Sequence, residues 1–441
     1  MNDLSYSTQS PPLGGTIKQR YIDFVVEEIR PDGRICETTR FQNDDGLDRA
    51  SAIAIPPRPE GIRDAQLHCD LEKINLDTPT AITHLAGFLR FSRKRIGYAG
   101  LKDKRGVTSQ RISIFEPDIE RLQKFESRRI DLRNFEWSNE RIEIGELKGN
   151  RFTITIRNIE LQKKEIEKRI QEFFREAEQN GVANFFGEQR FGGIRNNTHL
   201  VGKLLLKGQL EEAILLYLTK ESEKESEELS KIRRDLRESK NYLAALRAFP
   251  KNYRFERAMC QHLHNFPNDF AGALQKLPKA LRYLFSHAWQ AHLWNELLEK
   301  RLKSGMGLAR TKEDTFADEN ESNENLNENS NDDNQSNQNS NDEIPTLPIF
   351  GFETKLDSGK LGELEREVLQ ENDFSLTEFK CKQVPELSSS GGARKIAVKP
   401  ENQKWIDISE DEFNPEKQKA KIRFELEKGT YATTVLRELT K

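Results

Sequence analysis

Phe152, Ile154 and Ile156 alternate with Thr153, Thr155 and Arg157, the two-residue period of a strand with one apolar face. Ile422, Phe424 and Leu426 repeat the pattern near the C-terminus. Residues 16–29 read as a further strand, with Phe24 and Val26 on one face and Val25 on the other. Strands that alternate in this way predict a sheet with one exposed face, not a parallel sheet buried on both sides.

Helical patterns lie between them. Residues 79–91 follow Thr78, which reads as an N-cap ahead of a first-turn proline, Pro79. Residues 160–180 carry Ile166, Ile170, Phe173 and Phe174 at helical spacing and stop at Gly181. From about 198 to 304 the pattern is almost wholly helical, and strand patterning resumes near 394. A change from mixed elements to helices alone predicts an inserted domain. The first 15 residues, polar and holding Pro11-Pro12 and Gly14-Gly15, read as a flexible tail.

Composition changes this picture in one place. Over 441 residues the net charge is −3, which argues against nucleic acid as a partner. Residues 313–343, however, hold 11 acids and no Lys or Arg, and the rest has 62 acids against 70 bases, a balance of +8. The remainder is mildly basic and compatible with phosphate contacts. The segment 313–343 itself, rich in Asn, Asp, Glu and Ser, reads as a disordered acidic loop. Cys36, Cys69, Cys260 and Cys381 show no CxxC spacing and suit a reducing compartment. No apolar run approaches membrane-spanning length and no signal-peptide core is present, so a soluble, cytoplasmic protein is expected.

The segment richest in chemistry is 97–110, Gly-Tyr-Ala-Gly-Leu-Lys-Asp-Lys-Arg-Gly-Val-Thr-Ser-Gln. One acid, Asp103, stands between Lys102 and Lys104 behind small residues that permit close approach to the backbone. A carboxylate so placed is a candidate nucleophile. A surface turn of alternating charge is the structural alternative.

The order of residues in 97–110 resembles the first signature of the TruD family of tRNA pseudouridine synthases. Four further segments extend the resemblance. Lys18 with Asp23-Phe24-Val25-Val26-Glu27-Glu28 is similar to the family's Phe-x-Val-x-Glu element and its upstream lysine. Residues 184–192, Asn-Phe-Phe-Gly-Glu-Gln-Arg-Phe-Gly, resemble the second signature, with Phe185 where Tyr is usual, and Thr198-His199 and Gly202 follow it. Gln290, Leu293 and Asn295 match a helical element, although Ala291 and Trp294 replace its Ser and Phe. Residues 429–438 resemble the C-terminal signature. The match runs from about residue 16 to 440, and several of its blocks look more like archaeal members than bacterial ones.

The resemblance implies an α+β fold: a mixed-sheet catalytic domain from 16–196 and 394–441, with a largely helical inserted TRUD domain over 197–393. It implies tRNA as partner, with the uridine at position 13 as the family's usual target. Asp103 would be the nucleophile and Lys18 its supporting ionic partner. Phe24, Phe186 and Tyr431 occupy the family's base-pocket positions, and Asn184 supplies a two-way amide able to read the uracil edge. A flipped base is held by stacking and by edge hydrogen bonds, which suits aromatic rings and an amide. Isomerisation breaks a nitrogen–carbon glycosidic bond, turns the base and rejoins it through carbon 5. Nothing is oxidised, so no cofactor is expected. Attack by Asp103 at the anomeric carbon and attack at ring carbon 6 both remain open.

Other residues keep two readings. Lys102 and Lys104 suit phosphate contacts, pairing with Asp103 or plain solvation. Arg190 suits phosphate or Glu188. Phe185 and Phe191 read as core. Cys260, His262 and His264 lack a second ligand pair at zinc spacing, so no metal is expected. His287 and His292 read as structural, and Glu221–Arg237 as a solvent-facing charged helix. The rival reading is a catalytically silent tRNA-binding or chaperone module on the same fold; Asp103, Lys18 and Asn184 argue against it. A metal-dependent hydrolase is disfavoured by the missing ligands. Oligomeric state is left open.

Overall fold

A computed structural model of the chain describes residues 4–41, 53–309 and 344–441. The expected acidic loop at 313–343 lies outside the described residues. These form two compact units: one from Thr8–Val182 with Val398–Lys441, the other from Ala183–Ala397 with the described residues up to Ser7.

In the first unit the chain runs through β1 (Phe24–Ile29), β2 (Gln66–Ile74), α1 (Thr78–Leu89), β3 (Ile96–Tyr98), β4 (Val107–Phe115), α2 (Ile119–Leu122), β5 (Ile130–Ser138), β6 (Gly149–Ile159) and α3 (Lys163–Asn180). It leaves through β7 (Val182–Ala183) and enters α4 (Thr198–Leu206), α5 (Leu210–Thr219), α6 (Glu227–Ser239), α7 (Tyr242–Ala248), α8 (Arg254–Asn265), α9 (Phe270–Leu274) and α10 (Lys279–Lys303). Then come β8 (Thr346–Ile349), α11 (Gly359–Glu371) and β9 (Gly392–Lys395). The chain returns through β10 (Ala397–Val398) to β11 (Glu401–Glu410), β12 (Gln418–Glu427) and α12 (Ala432–Thr440).

The first unit is built on an eight-stranded mixed sheet in the order β11-β12-β6-β1-β4-β2-β5, with β3 on β4. Among these pairings β1 and β4 alone run parallel, with Val25 opposite Val107, Val26 opposite Thr108 and Glu27 opposite Ser109. Two antiparallel halves therefore meet at one parallel seam. Phe24 and Val26 pack with Phe152, Ile154, Phe424 and the apolar faces of α3 and α12. Leu67, Cys69, Leu71, Ile112 and Ile114 pack with α1.

Several expectations are corrected. The first strand begins at Phe24, because Lys18 takes a left-handed backbone (φ 61) and Tyr21–Asp23 form a 3-10 turn. The polar face of β6 is not exposed. Thr153, Thr155 and Arg157 are buried, and Arg157 is covered by Asp23 and Asp411, each 2.9 Å away. Charge pairing closes this face where apolar packing does not. The cap of α1 is Asp77, whose side chain accepts from the Thr80 N–H at 2.8 Å, leaving Thr78 inside the helix.

The described part of the tail, from residue 4, is not loose. Thr8 donates to Glu438 at 2.9 Å through its hydroxyl, and buried Leu13 donates its N–H to the Leu439 carbonyl at 2.8 Å. In the helical unit Ser5 bonds Glu299 at 2.6 Å. The compact units divide at 182/183 and 397/398, so residues 183–196 belong with the helices. The reason is apolar: Phe185 and Phe186 sit in the same core as Trp289, Leu293 and Trp294 of α10. There Gly202 lets α4 press on α10, since a Cβ would fall 2.0 Å from the Phe285 carbonyl oxygen. The charged helix α6 is not wholly solvated either: Arg233 is fully buried and pairs with Glu225 at 2.9 Å.

Candidate active site

The parallel seam explains which residues meet. Asp103 lies four positions before Val107 and Lys18 seven before Val25, so the segments feeding these two parallel, central strands arrive at the same end of the sheet. Lys18 Nζ stands 3.6 Å from Asp103 Oδ1 and 3.7 Å over the ring of Phe24. The Asp103 carboxylate is 31% exposed; the Phe24 ring is buried. A left-handed lysine is uncommon and costs roughly 1–2 kcal/mol, a strain that surrounding contacts must hold. Here Thr16 exchanges backbone hydrogen bonds with Arg157 (2.7 and 2.8 Å), and Asp23 binds both the Arg20 N–H (2.7 Å) and Arg157.

The loop carrying Asp103 is clamped from several sides. Lys102 turns inward and pairs with Glu28 at 2.6 Å, both side chains being buried. All three readings of Lys102 give way to this one: its ammonium is spent on Glu28 and is neither solvated nor paired with phosphate or Asp103. The Lys102 N–H donates to the Thr78 hydroxyl (3.0 Å), which donates to Gln110 (2.7 Å), which in turn donates to the Gly100 carbonyl (2.9 Å). Gly106 is required at the end of the loop, since a Cβ there would lie 2.4 Å from the Phe24 carbonyl oxygen. Lys104 is exposed.

Lys73 touches the Asp103 loop, a contact that sequence reasoning missed. Fully buried on β2, it donates to the carbonyls of Leu76 (2.7 Å), Asp103 (3.0 Å) and Lys102 (3.4 Å). Burial pushes its ammonium down to about 7, against the field of Asp103. The available signal was its place in the alternation Leu67, Cys69, Leu71, Lys73, a cation on an apolar face.

Asn184 and Phe186 belong to the helical unit. The Asn184 amide donates to the Lys395 carbonyl at 2.9 Å and accepts from Arg394 at 2.6 Å. The Arg394 guanidinium also lies 4.1 Å over the Phe186 ring, whose edge meets Trp294 at 5.5 Å. Asn295 grips the Phe186 backbone on both sides, at 2.8 and 3.0 Å. Arg190 stands 5.6 Å over the same ring. Tyr431 is exposed at the N-cap of α12 in the first unit. Phe185 and Phe191 are core. His262 pairs with Asp269 at 2.8 Å and Cys260 is buried. No cluster of His, Cys, Asp or Glu among the described residues is arranged to hold a metal ion.

The model of the tRNA pseudouridine synthase D (TruD) family matches residues 1–439. The chain belongs to the TruD family of tRNA pseudouridine synthases. A relative from Methanococcoides burtonii named "Probable tRNA pseudouridine synthase D" is 36% identical over 99% of this chain and 95% of its own length. A relative of the same name from Methanosarcina barkeri gives the same figures. The crystal structure of a TruD protein from Methanosarcina mazei superposes with a TM-score of 0.75 at 34% identity, covering 99% of this chain and 95% of that one. This TruD chain is therefore an isomerase that modifies tRNA, on an α+β fold with a mixed sheet. None of its described helices is long and apolar enough to cross a membrane.

Proposed function

We propose that this synthase converts one specific uridine of tRNA, that at position 13, to pseudouridine with Asp103 as nucleophile and Lys18 as its ionic partner. The observation that carries the proposal is the Lys18–Asp103 contact of 3.6 Å over the Phe24 ring, held by a strained lysine and a clamped loop. A reaction that keeps the base in the site needs one nucleophile and a fixed attack geometry, and positioning of this kind supplies much of the rate. Phe24, Asn184, Phe186 and Tyr431 are proposed to bind the substrate base. For Asn184 we propose an indirect part, through Arg394, because its amide is already engaged. The helical unit is proposed to engage the body of the tRNA, and the cytoplasm is proposed as the compartment.

The test is tritium release from carbon-5-labelled uridine in tRNA. Wild type should turn over and Asp103→Asn should not, while the variant keeps its melting temperature and tRNA affinity. Multiple turnover by Asp103→Asn would reject the assignment. Binding without turnover by the wild type on every tRNA would favour a silent tRNA-binding protein.

A further inference from the structure

Three polar atoms within residues 195–199 of the helical unit are buried without a hydrogen-bond partner: Arg195 Nε, Asn197 Nδ2 and His199 Nδ1. Arg195 and His199 line a cavity of about 790 Å³, a size typical of ligand pockets.

Three rings, Phe191, His199 and His292, line that cavity. The rings of His199 and His292 lie 4.6 Å apart at 33°, backed by the core residue Trp289, whose ring is 5.2 Å from His292. Phe191 meets His199 edge-on at 5.3 Å. Burial, reinforced by His292, holds His199 at about 3, so its imidazole is neutral in the physiological range. His292 is fixed by Glu296 at 3.1 Å. Two cations, Lys220 and Lys224, line the same cavity. Lys220 reaches the Asn196 carbonyl at 3.4 Å and has no acidic partner among the described residues. Glu188 and Glu223 also line it and can accept hydrogen bonds from a base edge.

We infer that this cavity is a second nucleobase subsite, which takes an unstacked tRNA nucleotide other than the target uridine. Its ring packs against the rings of Phe191, His199 and His292, its edge meets the carboxylates of Glu188 and Glu223, and its phosphate lies at Lys220 and Lys224. Stacking platforms beside cations are how proteins hold single-stranded nucleotides. The inference rests on the tRNA reading above, and it gives Thr198-His199 a role that the proposed chemistry at Asp103 leaves empty.

Two measurements test it on the full chain. The first is the tRNA dissociation constant at fixed salt for wild type, His292→Ala and Lys220→Ala, with melting temperatures alongside. His292→Ala should weaken binding by about 5- to 150-fold and Lys220→Ala by a smaller factor. The second is photocross-linking to tRNA carrying 4-thiouridine, which should map to peptides containing residues 188–199 or 288–296. Wild-type affinity in both variants, or cross-links confined to other peptides, would overturn the subsite. If His292→Ala lowers the melting temperature sharply, the affinity of the rim variant Lys220→Ala decides instead. Saturable UMP binding that His292→Ala abolishes, with tRNA affinity unchanged, would assign the cavity to free nucleotides and also overturn the tRNA subsite. Loss of the synthase reading itself would show separately, as wild-type protein that binds and cross-links tRNA without turnover.

Discussion

Lys102 Nζ lies 2.6 Å from Glu28 Oε2, with both side chains buried, and the other Glu28 oxygen accepts the Arg111 N–H at 3.0 Å. This pair ties the loop of the proposed nucleophile to the first strand of the sheet. Removing one partner of a buried pair strands the other charge and typically costs about 3–5 kcal/mol. Glu28→Gln and Lys102→Met should each lower stability by roughly that amount, and turnover with it. The double variant should be less damaged than the sum of the two. Denaturant unfolding of the four proteins decides the matter; strictly additive losses would mean that the two groups act independently.

Lys18 should matter for rate and little for folding. Lys18→Gly removes the ammonium but suits a left-handed backbone, so the relieved strain offsets the lost ring and ion-pair contacts. Stability should stay within about 1 kcal/mol of wild type while turnover falls steeply. A variant that melts early yet turns over normally would make Lys18 a structural residue.

The buried amine of Lys73 predicts a pH signature. Its folded-state value is lowered to about 7, whereas the unfolded chain titrates at about 10.5. Between those values the unfolded chain binds more protons than the folded one, so stability rises with pH, by at most about 1.4 kcal/mol per unit. Below pH 7 both states are protonated and this slope disappears. Lys73→Met should abolish the slope between pH 7 and 10 and, by freeing three carbonyls, loosen the Asp103 loop. Equal pH dependence of unfolding in wild type and variant would refute it.

Phe186 is packed against Trp294 and Arg394, so Phe186→Ala should cost about 3–5 kcal/mol in stability as well as turnover. Phe186→Leu separates the two effects: it should hold stability within about 1.5 kcal/mol and still lose rate if the aromatic face serves the substrate. An unchanged rate in Phe186→Leu would leave Phe186 as core alone.

Binding of tRNA should weaken steeply with salt, near-linearly in log–log form, because phosphate contacts release counterions. Filter binding between about 50 and 200 mM salt reads this directly. A flat dependence would place recognition in uncharged contacts.

The sequence by itself determined the element types with strong periodicity. The alternation at 152–157 reappears as a strand, and the apolar spacing of α3 and the run after 198 as helices, because side-chain period reports the type of element. It also determined the family, since five ordered segments leave little room for coincidence. Only the tertiary structure decided where charges go. Lys102 and Lys104 are equivalent in an alternating segment, yet one is buried on Glu28 and the other exposed. The Lys73 ammonium lies under Asp103 because β2 and β4 are paired across the sheet. The polar face of β6 is sealed by Asp23 and Asp411, which stand 388 positions apart in the chain. Burial, strand register and ion pairing between distant segments are properties of the folded chain, and a local pattern of hydrophobic and polar residues does not contain them.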